Sequence, residues 1–109
     1  MDITLPENLR YNDSSVYSGS TSGESARKEL NLDALDKNGE KVIIRIPNGT
    51  SYIDNAFING LLGPSIKKFG IGDLNKKYSF VSLDENDTVK EVLNESVNKG
   101  LERLNRSIR

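Results

Sequence analysis

One short run, Lys41-Val42-Ile43-Ile44-Arg45-Ile46-Pro47, constrains this chain more than any other stretch. Its three consecutive β-branched residues are stiff at χ1 and suit a pleated strand better than a helix. So brief an apolar run, stopped by Pro47-Asn48-Gly49, reads as a strand covered on both faces, as in a parallel sheet. Helical patterns flank it on both sides. Strands that alternate with helices form parallel sheets with right-handed crossovers.

The upstream helix is expected to begin near residue 22. Thr21-Ser22-Gly23-Glu24 fits a capping box, and Ala26, Leu30 and Ala34 follow at helical spacing with Leu35 beside them. Lys37-Asn38-Gly39 is the stop, with Gly39 taking a left-handed backbone. Downstream, Asp54 or Asn55 caps a second helix whose apolar face includes Phe57, Ile58, Leu61, Leu62 and Ile66. Pro64 lacks a donor and crowds the preceding turn, which predicts a break at Gly63-Pro64. Tyr78 to Leu83 alternates as a strand. From Thr88 one long helix carries Val89, Val92, Leu93, Val97, Leu101, Leu104 and Ile108 as a continuous stripe. Asp84 and Asp87 lie at its N-terminus, and Lys99, Arg103, Arg106 and Arg109 toward its C-terminus, complementing the helix dipole.

The 109 residues therefore predict one α/β domain. Its architecture is a small, mainly parallel sheet of three to five strands, with about three helices and a long C-terminal one. Residues 1–17 read as an N-terminal strand or two, or an arm, and 18–109 as the domain proper. Pro6 confines any strand there to an edge.

Composition narrows the chemistry. There is no cysteine and no histidine, which removes thiol catalysis, disulfides, Cys/His zinc sites and Ser-His or Cys-His pairs. No catalytic residue, metal or cofactor is expected. Lys plus Arg is 15 against 16 for Asp plus Glu, a net charge of −1, which argues against nucleic acid. No apolar run approaches the ~20 residues needed to span a bilayer, and Met1 to Glu7 lacks the pattern of a signal peptide. A cytoplasmic protein without membrane contact is the expectation.

Asp84-Glu85-Asn86-Asp87 lacks the central Gly of a calcium loop and reads as a solvated turn and helix cap. Gly70-Ile71-Gly72-Asp73 lacks the phosphate-loop patterns and reads as a turn, with Lys67-Lys68 and Lys76-Lys77 as its solvated rim. Ser18 to Gly23 runs into a helix N-terminus, so Ser20, Thr21, Ser22 and Gly23 form a candidate anion or ligand loop. The final helix exceeds what a small sheet needs. Its tail from Leu101 to Ile108 either projects or makes a homodimer. Functional surface in open α/β sheets gathers where strands end and helix N-termini point outward, which favours the crossing from Pro47 to Ala56.

Val42 to Gly63, a strand leading through Ile53-Asp54-Asn55-Ala56 into an Ile/Leu-rich helix, resembles the core of STAS domains, the anti-anti-sigma-factor modules. The layout from about Ser18 to Leu104 is most similar to a STAS-like family of unknown function in bacteria and phages. Gly23-Glu24-Ser25-Ala26-Arg27 and Ala56-Phe57 belong to the same likeness. The resemblance implies a regulatory protein-binding module that docks an ATPase- or kinase-type partner. Tyr52, Asp54, Asn55 and Asn59 would then be the contact residues. In that family a serine here is phosphorylated and the added charge blocks docking. Asp54, Asn55 and Ala56 occupy the matching positions and offer no hydroxyl, and Phe57 replaces the expected glycine. The switch is therefore absent or shifted to Thr50 or Ser51. A nucleotide or other small ligand at Ser18 to Gly23 is the alternative.

Overall fold

In a computed structural model, which describes residues 1–107, the chain runs β1 (Asp2–Thr4), β2 (Val16–Tyr17), α1 (Ser20–Glu29), α2 (Leu32–Leu35), β3 (Val42–Ile46), β4 (Tyr52–Ile53), α3 (Asn55–Lys77), β5 (Tyr78–Ser82) and α4 (Asp87–Ser107). Two 3-10 turns, Glu7–Leu9 and Tyr11–Asp13, join β1 to β2. This is the expected α/β class with a long C-terminal helix. The apolar run forms β3, the centre of a parallel sheet ordered β1-β3-β5, while β2 and β4 make a separate parallel pair. Residues 1–17 are part of this framework, since Leu5 and Tyr17 are core side chains.

Register places Ile3, Ile44 and Phe80 side by side, and Thr4, Arg45 and Val81 on the opposite face. Val42, Ile44 and Ile46 are buried beneath the helices, whereas Arg45 and Val81 are exposed. β3 is thus covered on one face only, against the expectation of two. The reason is the strand order. Crossovers of one hand that step in one direction leave their helices on the same side.

α1 and α3 cross at glycines. A Cβ on Gly23 would sit 2.2 Å from the Phe57 carbonyl oxygen, and one on Gly60 2.2 Å from the Ser20 oxygen. The backbones therefore touch, and both positions must lack a side chain. Beneath this seam Tyr17 packs on Phe57, with ring centroids 5.0 Å apart.

Helix ends differ from the sequence reading for identifiable reasons. α1 starts at Gly19, so Thr21 and Ser22 lie inside it and form no capping box. It ends at Glu29 because Asn31 takes the left-handed conformation (φ 55), not Gly39. α3 continues through Pro64 and breaks at Gly70, where φ is 79 and ψ 164. Residues 71–77 are helical again, so the expected 70–73 turn shrinks to Gly70 alone. On α4, Asn86 is the cap: its Oδ1 accepts from the Thr88 and Val89 N–H groups at 2.9 and 3.2 Å. Leu101 and Leu104, the proposed dimer contacts, are 8% and 4% exposed, already covered by their own chain. Ile108 and Arg109 lie outside the described residues. No helix among the described residues is long and apolar enough to cross a membrane.

Candidate functional site

The crossing from β3 to α3 turns at Gly49 (φ 88), then enters β4, which lies parallel to β2. That pairing brings Ser18 and Gly19 beside Asp54. The Asp54 Oδ1 accepts from the Phe57 N–H at 2.8 Å and from the Gly19 N–H at 3.2 Å. Its Oδ2 accepts from the Ser18 hydroxyl at 2.6 Å. One carboxylate therefore caps α3 and also closes the N-terminus of α1. Partial burial pushes the Asp54 carboxyl pKa up, but hydrogen bonds from Ser18, Phe57, Gly19 and Ala56 outweigh it, leaving it below the ordinary value.

This geometry corrects two expectations. Asp54 is half-buried and turned inward, so it is not a free contact group. Ser20 to Gly23 do not form a loop. All four residues lie within the first turns of α1, Gly23 is pressed against Phe57, and Asp54 already accepts from the Gly19 N–H at the helix end.

The remaining candidates divide by exposure. Tyr52, on β4, is 43% exposed, and Ser51 and Asn59 are also exposed. Asn55 is half-buried and lines a groove of about 250 Å3 with Asn59, Gly100 and Arg103. Thr50 is 1% exposed, with the Arg10 guanidinium donating to its hydroxyl at 3.4 Å, which puts it beyond a transferase in the folded protein. Ser51 is accessible, and its hydroxyl shares a 2.7 Å hydrogen bond with that of Ser15.

A second polar constellation went unread in the sequence. Arg27 is buried between α1 and α3. Its guanidinium donates to Asp33, Asp36, Ser65 and the Leu61 carbonyl at 2.6–2.9 Å. Asp36 also accepts from Ser65 and from the Tyr78 hydroxyl. Burial first, and then Asp36, raise the Tyr78 pKa. Every donor in the cluster is spoken for, and Ser65 donates to a carboxylate already neutralised by Arg27, which makes it a poor nucleophile. An arginine on the apolar face beside Ala26 was the available signal, because a buried cation requires a carboxylate. Among the described residues no group of three carboxylates or imidazoles is arranged to hold a metal. No family model, curated protein or solved structure matches the chain.

Proposed function

We propose that the chain is a non-enzymatic, STAS-like regulatory module that acts by docking a protein partner of the ATPase or kinase type. The docking surface is the exposed tip formed by Ser51, Tyr52 and the outward side of the first turns of α3, Ala56 and Asn59. The single observation behind this reading is the inward turn of Asp54. It consumes the Asp54 charge as a cap and leaves outside the Tyr52 ring with Ser51, Ala56 and Asn59, the last two sharing a groove with Arg103. Such a surface suits contact, with Tyr52 as the kind of anchor that dominates interfaces.

The test is capture of a partner from the native host, followed by calorimetric titration of that purified partner. Tyr52→Ala and Asn59→Lys change exposed side chains and should leave the fold intact. An interface anchor is worth about 2 kcal/mol, so Tyr52→Ala should weaken binding roughly thirtyfold. Unchanged affinity in both variants, or substrate turnover by the purified chain, overturns the reading.

A further inference from the structure

A groove of about 590 Å3 runs between α1 and α3, and it shares only Asn59 with the docking tip. Its volume falls within the ordinary range for small-molecule sites. Its floor is anchored by Arg27, whose buried guanidinium is held by Asp36, Ser65 and the Leu61 carbonyl and also reaches the exposed Asp33 on the lining. Its walls carry charges with nothing to answer them. Glu24 and Lys28 on α1 and Lys67 on α3 all line the groove, and none of these side chains has a hydrogen-bond or ion-pair partner among the described residues.

One lining residue, Gly60, carries an unusual acceptor. Pro64 has no N–H, so the Gly60 carbonyl one turn earlier lacks its helical donor, and both residues line the groove.

These groups are sorted along the groove. α1 and α3 run side by side in the same direction, with Ser20 and Glu24 against Gly60, and Arg27 reaching Leu61 and Ser65. Glu24, Asn59 and the Gly60 carbonyl therefore gather at one end, and Lys28 and Lys67 at the other. Glu24 and Lys28 are one turn apart, about 6 Å along the axis.

We infer that this groove binds a small zwitterion whose amine meets Glu24 and the Gly60 carbonyl while its phosphate or carboxylate sits between Lys28 and Lys67. Phosphoethanolamine and 4-aminobutyrate place their charges at a comparable separation and represent the two anion chemistries. Each is titrated into the full-length 15N-labelled chain and followed by amide chemical shifts, with inorganic phosphate and ethanolamine as single-charge controls. One zwitterion should give saturable shifts at the Gly60, Gly63 and Lys28 amides, with millimolar or tighter affinity, and bind more tightly than either control. Lys28→Gln and Lys67→Gln should each weaken it about tenfold, the value of one charge-assisted contact. Glu24→Gln should remove the preference for the zwitterion over phosphate. The inference fails if neither zwitterion saturates, if phosphate alone binds as tightly, or if the lysine variants bind as the parent does. No partner protein enters this experiment, so its failure leaves the docking proposal standing.

Discussion

Replacing Gly60 by alanine tests whether the contact between α1 and α3 depends on bare backbone. The added methyl would lie 2.2 Å from the Ser20 carbonyl oxygen and 2.8 Å from the Glu24 nitrogen. Both are backbone atoms inside a helix, and neither can swing away. A carbon–oxygen contact normally sits near 3.5 Å, so the helices must part by roughly 1 Å, and a gap of that size forfeits a quarter to a half of each contact across the seam. Phe57 and Leu61, which border the seam, are fully buried on the α3 side. At about 1.5–3 kcal/mol each, the loss over the two comes to about 2 kcal/mol. Alanine returns about 1 kcal/mol of helix propensity, so the net destabilisation is about 1 kcal/mol. Urea unfolding followed by far-UV circular dichroism should show a midpoint lower by about 0.5 M. Gly72→Ala is the control, because it is helical and nothing lies within 4 Å of its added methyl. That change should stabilise by about 0.5–1 kcal/mol. Gly60→Ala as stable as the parent, or Gly72→Ala falling by as much, would refute the close-contact reasoning.

Other perturbations have equally definite outcomes. Removing one partner of the buried network, by Arg27→Ala or Asp36→Ala, should cost about 3–5 kcal/mol in the same assay, whereas Arg27→Met with Asp36→Leu should cost less than the sum of the singles. Asp54→Ala should destabilise by about 1–2 kcal/mol through the lost cap, with Asp54→Asn between it and the parent. The Asp54 pKa is lower folded than its ordinary 3.8. Its contribution is therefore complete above that value and disappears as pH falls through the folded pKa, and acid titration of the parent against Asp54→Asn should show that extra loss. Burial raises the Tyr17 hydroxyl from 10.0 to about 12. Stability that is complete below pH 10 should therefore decline as pH rises toward 12, and Tyr17→Phe should flatten part of that decline. Ser51→Glu should weaken binding of the captured partner far more than Thr50→Val if added charge at the tip governs docking, read by calorimetry.

The sequence displayed what depends on neighbours a few residues away. β3 was legible because a β-branched run between stops has few other uses, and α4 because its stripe repeats at three and four residues. What depends on distant partners was hidden. Nothing near Asp54 announces that Gly19, thirty-five positions earlier, will share its carboxylate. Gly23 and Gly60 look like ordinary helix-weakening residues until the two are set face to face. Asn31 ended α1 before the expected stop at Gly39, since asparagine is among the few residues besides glycine that enter the left-handed region. Pro64 misled for a related reason. Pro64 lies exposed in the groove lining, so its ring is accommodated without breaking α3. At the candidate site, Tyr52 and Asn59 were readable as surface, while the inward orientation of Asp54 was not.

The doubly engaged carboxylate has one more effect. Each helix concentrates roughly half a positive elementary charge at its starting turn, so α1 and α3 aim two like poles at a single point. One full negative charge between them turns mutual repulsion into joint attraction. A neutral side chain there would do more than drop a bond: it would leave the two poles pushing apart where the paired strands β2 and β4 lead into their helices.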